Sequence, residues 1–245
     1  MTSMMVSVTS YALLPMAAAI IGAVVSTFRP PGPKLRSTIQ HFAAGVVFSV
    51  VAVELLPDIV RSHARNAAFD VVIGFALGVI AMLALKAVTE RMEAAKPSGT
   101  SRLPVAFLVA IAVDLLVDGL LIGMGFTAGV KEGRLLTLAL TVELLSLGLA
   151  VAVTLSDAGA TCARIIATTA GLAMALLVGA VGGVTLLAAL SPTALEVVFA
   201  FGLAALLFLV TEELLTEAHE VPENAWITSA FFAGFLLFLV LGMVG

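Results

Sequence analysis

Residues 113–123 read VDLLVDGLLIG, two aspartates four apart in a run with no other polar side chain. On a helix, positions i and i+4 share one face a turn apart, so Asp114 and Asp118 stand one above the other. Both are acids, and at that spacing they repel unless a cation or a proton lies between them. The stretch therefore asks for two things together: an apolar helix and a positively charged guest.

The rest of the chain accounts for the helix. Of 245 residues, 61% are hydrophobic and 11% charged, where a soluble domain carries about 25% charged residues. Mean hydropathy is +1.19. Apolar runs fall at about 11–28, 37–57, 69–88, 104–126, 133–155, 163–188, 193–216 and 225–244. Each is near the ~20 residues that a helix needs to cross ~30 Å of hydrocarbon. Polar or breaker-rich joints separate them, among them RPPGPKLRS and TERMEAAKPSGTSR. The expected fold class is all-α, a single transmembrane domain over 1–245 with eight helices in a lipid bilayer. The charge pattern holds no basic stripe suited to nucleic acid. Cys162 is the only cysteine, which excludes an intrachain disulfide and a cysteine metal cage. The N-terminal stretch lacks the basic start of a secretory signal peptide and reads as the first span.

Orientation follows from lysine and arginine. Sorted alternately, one side receives Arg29, Lys34, Arg36, Lys86, Arg91, Lys96, Arg102 and Arg164, and the other Arg61, Arg65, Lys131 and Arg134. This bias favours both termini outside a plasma or bacterial inner membrane, with the 86–102 loop in the cytosol. There is also a weak internal echo. HFAAGVVFSVVAVELLPDI (41–59) in the second span is similar to VFAFGLAALLFLVTEELLTEA (198–218) in the seventh. Copies so placed run oppositely through the bilayer, as inverted repeats of transporters do, with a site where they meet at midplane. Chance likeness between two apolar helices explains the echo equally well.

Asp114 lies about ten residues into the fourth span, hence ~15 Å deep at ~1.5 Å per residue. Asp118 is one turn further outward. Glu143 is likewise ~15 Å into the fifth span, entered from the opposite side. Three carboxylates thus reach one depth from two adjacent, antiparallel helices. A charge at the bilayer centre costs about 2.5–3.5 kcal/mol on the mildest scale, and no Lys, Arg or His lies at that depth to offset it. Either the acids carry protons or they hold a cation. Ser146, one turn from Glu143, offers a further oxygen or an ordinary helix–helix hydrogen bond, and Thr141 reads as the latter. Glu54, ~26 Å along the second span, stands near the outer rim, and Glu213 near the cytosolic end of the seventh. Acids at both mouths attract cations from either side. The candidate metal-holding residues are Asp114, Asp118, Glu143, Ser146, Glu213 and Glu54. The stretch Glu217, His219, Glu220 and Glu223 reads equally well as a solvated helix end. His41 reads as an interfacial anchor, and His63 has no assigned role. Gly119, Gly123, Gly125 and Gly148 would let helices approach closely.

The span count, the outside termini and the longer loop between spans 3 and 4 resemble the ZIP family of divalent metal transporters. HFAAGVVFSVVAVELLP is similar to that family's second helix and DGLLIG to the stretch after its span 4 ligands. The family pattern there is His-Asn-x-Pro-Glu-Gly or His-Asn-x-x-Asp-Gly; this chain has Asp114-Leu115-Leu116-Val117-Asp118-Gly119. The final acid and glycine match, an aspartate replaces histidine, and the asparagine is lost. On span 5, Glu143-Leu144-Leu145-Ser146-Leu147-Gly148 puts Glu143 at the first ligand position and Leu147 in place of the second acid. The resemblance implies divalent cation transport, with donors left for one ion rather than two. An all-oxygen set suits Mg²⁺, Mn²⁺ or Ca²⁺ better than Zn²⁺ and tolerates Fe²⁺; Zn²⁺ stays in view because the family carries it. Two rivals remain: a proton-coupled carrier of another substrate on the same scaffold, and a membrane sensor or assembly protein that moves nothing. An enzyme is not expected, because the spans offer no nucleophile–base pair. The small-residue run GLAMALLVGAVGG (171–183) would serve a homodimer face or an internal contact equally well.

Overall fold

Prolines and short polar side chains start several of the helices. Ser191 accepts a hydrogen bond from the Ala194 amide at 3.3 Å with Pro192 in the first turn, and Asn224 Oδ1 accepts from the amides of Trp226 and Ile227, both at 3.0 Å. In the computed structural model, residues 2–61, 67–94, 105–219, 221, 222 and 224–244 are described, and every regular element among them is helical. Eight helices are long and apolar enough to cross a membrane. They are span 1 (Met4–Phe28), span 2 (Pro33–Leu55), span 3 (Ala68–Arg91), span 4 (Phe107–Ala128), span 5 (Val130–Asp157), span 6 (Cys162–Leu187), span 7 (Thr193–Ala218) and span 8 (Ala225–Val244).

Two ends differ from the sequence expectation. The first helix starts at Thr2, well before residue 11, because its polar side chains satisfy themselves; the Ser10 hydroxyl donates to the Val6 carbonyl at 2.7 Å. The third runs on to Ala94 through TERMEA, residues that favour helix in water as much as in lipid. His63, Glu220, Glu223 and the 95–104 part of the long loop lie outside the described residues.

The most extensive pairings are span 1 on span 5, span 4 on span 6, span 2 on span 8 and span 3 on span 7. Contacts of span 1 with span 6 and of span 4 with span 5 complete one group, spans 1, 4, 5 and 6. Spans 2, 3, 7 and 8 form the other. Exchanging 1 with 6, 2 with 7, 3 with 8 and 4 with 5 maps these pairings onto themselves, the pattern expected of an inverted repeat. Glycine makes the closest of them. A Cβ on Gly148 of span 5 would fall on the Ala19 carbonyl of span 1, and one on Gly119 of span 4 on the Leu176 carbonyl of span 6. Each acid-bearing helix is thereby held backbone to backbone against a neighbour.

Candidate metal centre

Spans 4 and 5 bring Asp114, Asp118 and Glu143 together. One carboxylate oxygen from each lies within 4.8 Å of the other two. Three oxygens so placed have a common point about 2.8 Å or less from each, close to the 2.3–2.6 Å of calcium–oxygen bonds and a small side-chain adjustment from the ~2.1 Å of smaller divalent ions. Asp118 is 2% exposed and Glu143 3%, while Asp114 is half-buried. Asp118 Oδ2 and Glu143 Oε2 are buried with no hydrogen-bond partner among the described residues. Ionised carboxylates only accept, so these two oxygens want a donor or a cation.

A cavity of about 280 Å³ leads to this cluster from one face of the bundle, lined by Arg36, Lys86, Asp114, Glu212, Glu213 and Glu217 among others. We call that face the basic face, since it carries the Lys/Arg-rich connections. Asp114 is the deepest span 4 residue in its wall. A narrower space of about 40 Å³ continues from it, bounded by Gln40, Asp114, Glu143, Ser146, Glu213 and Glu217 with three leucines. That volume holds one or two water-sized guests. Donors lining it are Asp114, Glu143, Glu213, Glu217 and the Ser146 hydroxyl (3% exposed), and Asp118, outside its wall, brings an oxygen within 4.8 Å of those of Asp114 and Glu143.

Glu213 owes its place to the helix geometry of span 7, which widens to a π-helical turn over Leu209–Leu214. Such turns insert an extra residue and are frequent at functional sites. Span 2 carries its counterpart at Val51–Leu55, holding Glu54. Both turns fall on the glutamate-dileucine part of the echo. Glu54 is not in the cavity: it lies 3.6 Å from the Lys131 ammonium, which also donates to the Gly242 carbonyl at 2.6 Å. At the basic face, Lys86 pairs with Glu212 at 2.7 Å and Arg36 with Glu217 at 3.4 Å. No basic side chain of the described residues pairs with the triad.

Thr141 donates to its own helix, at the Thr137 carbonyl 2.6 Å away, and does not face the cluster. His41 is buried inside the bundle, its Nδ1 2.9 Å from the Ser37 carbonyl and its ring centroid 5.2 Å from that of His219, just past the end of span 7. It supplies no imidazole to the triad, whose donors are all oxygen. Gln40 escaped the sequence reading. It is buried, borders the narrow space and donates to Glu217. An amide inside an apolar span is costly enough to have marked it. Arg36 and Lys86, read only for orientation, also line the cavity.

No protein-family model matches the chain, and no curated protein sequence matches it with significance.

Proposed function

We propose that this protein carries a divalent metal cation across the membrane, holding it at midplane between Asp114, Asp118 and Glu143. The observation that carries the reading is the convergence of three acids, two buried and one half-buried, from antiparallel helices at the head of a polar cavity. A packing role alone gives no reason for two partnerless carboxylate oxygens in a membrane, where each charge is costly. The eight-span plan and the Asp118–Gly119 step fit the resemblance to the ZIP family. In this reading the basic face is cytosolic, both termini lie outside, and the family implies uptake.

The ion sheds water as carboxylate oxygens replace it. Asp114 and Glu143 line the narrow space, Asp118 reaches toward both from one turn along span 4, and Ser146 and Glu213 complete the oxygen shell. An all-oxygen shell favours Mn²⁺, Mg²⁺ or Fe²⁺ over Zn²⁺. The cavity acids then offer a staged descent toward the basic face, and rocking of one four-helix group against the other changes which face has access.

Reconstitution tests this. Purified protein in liposomes should admit Mn²⁺, read by a metal-quenched dye in the lumen, and elemental analysis should find about one divalent ion per chain. Asp118→Asn should lose both. Metal bound without flux makes the chain a sensor. Lumen acidification with no metal bound makes it a proton-coupled carrier.

A further inference from the structure

On the face opposite the cavity, a groove of about 540 Å³ lies between the start of span 5 and the end of span 8, lined by Lys131, Arg134, Leu135, Leu138, Leu241 and Val244 among others. Its charges and its grease are ordered in depth. Lys131 and Arg134 sit in the first turns of span 5, at the membrane boundary, and Leu138 and Leu241 lie deeper along the two helices. Leu138, Leu241 and Val244 are exposed. Arg134 is exposed, sits 5.5 Å from the Tyr11 ring centre and has no carboxylate partner among the described residues. Lys131 spends part of its donor capacity on Glu54 and Gly242 and remains 41% exposed. Glu132, next to Lys131 in sequence, does not line the groove; its carboxylate lies against Gly129.

We infer that this groove binds an anionic phospholipid, its headgroup phosphate between Lys131 and Arg134 and an acyl chain along Leu138 and Leu241. Charge complementarity decides the occupant. Two cations at headgroup level attract a lipid phosphate, each worth roughly a fivefold gain in binding. The apolar walls below them take a chain that is already in apolar surroundings, which a soluble anion could not use. Because Lys131 also holds Glu54, a bound headgroup draws on the same ammonium that closes span 2 against span 5. The lipid site stands whether or not the chain transports metal.

Native mass spectrometry of the full chain released from micelles with equal phosphatidylglycerol and phosphatidylcholine of matched chains tests it. Phosphatidylglycerol should be retained over phosphatidylcholine by about fivefold or more. Arg134→Gln should remove most of that preference, and Arg134→Lys, which keeps the charge, should restore it. Leu241→Trp, which fills the groove with both charges intact, should cut retention of both lipids. Thermal unfolding of each variant checks that it is folded; should Arg134→Gln not fold, the Lys and Trp variants carry the test. Equal retention of the two lipids by the wild type overturns the inference, as does unchanged retention in both the Gln and Trp variants. Thermal stabilisation by millimolar inorganic phosphate equal to that by phosphatidylglycerol overturns it in favour of a plain anion site. A lipid-free dimer lost on Leu241→Trp would put a second copy of the chain in the groove instead.

Discussion

Glu54 and Glu213 occupy matching places, each in a π-turn of an echoing span and each followed by two leucines, yet their surroundings are opposite. Glu54 is 11% exposed and tied to Lys131 of span 5. Glu213 borders an open cavity with Asp114 of span 4. The packing differs in the same sense: span 2 lies along much of span 5, while its counterpart, span 7 on span 4, touches only slightly. A device present twice is shut at one end and open at the other. In an inverted repeat, broken symmetry of this kind identifies a conformational state. On the proposed carrier reading the structure is the state open toward the basic face, and the same chain has a second state in which the two glutamates exchange situations.

Two mouths of one pathway share one guest, and the triad is where it would be held. Asp118→Asn should weaken Mn²⁺ binding by about 100-fold or more, since even residues behind a metal's ligands cost 10–100-fold. The same variant should be at least as stable as wild type without metal, because it removes a carboxyl that otherwise has to take up a proton in apolar surroundings. Calorimetric titration and metal-free unfolding measure the two. A variant that binds as wild type would mean that neither mouth leads to this site.

The two ends should also differ in their access to water. With the exposed Cys162 first replaced by serine, Thr154→Cys in the cavity wall and Leu55→Cys beside Glu54 report on the two ends. A water-soluble maleimide should label residue 154 about tenfold or more faster, the ratio that ~1.4 kcal/mol of closure gives. Comparable rates would mean that the two ends are equally open. Adding Glu54→Gln to the Leu55→Cys chain is the smaller step. It removes a partly buried ion pair worth about 1 kcal/mol and should raise labelling at 55 about fivefold, by releasing span 2 from span 5.

This asymmetry was the part of the molecule least legible in the sequence. Eight apolar runs gave eight spans, because run length against hydrocarbon thickness is a local test. The triad was legible too: Asp114 and Asp118 share a face by spacing, and Glu143 matches their depth by counting. Glu54 and Glu213 look alike in VELLP and EELLT, and only their neighbours in space tell them apart. Their π-turns left no mark, since one extra residue does not disturb the period of a run that is apolar all round. Gln40 carries no charge to mark it beside the acids, and its partner Glu217 reads in sequence equally well as a solvated helix end. The early start of span 1 was hidden by Ser and Thr, whose hydroxyls bond within their own helix.

Two hydroxyls close in sequence on span 5 should differ more modestly. Ser146 is buried at the narrow space between the mouths, and Thr141 is turned to its own helix carbonyl. A neutral oxygen in an ion's shell contributes on the scale of a single hydrogen bond, so Ser146→Ala should lower Mn²⁺ affinity by about threefold. Thr141→Val should leave affinity unchanged, because the bond it loses does not reach the ion. Equal effects of the two substitutions would mean that affinity follows the general packing of span 5 and not the oxygens at the cluster. The two mouths would then be compared across a site that lies elsewhere along the cavity.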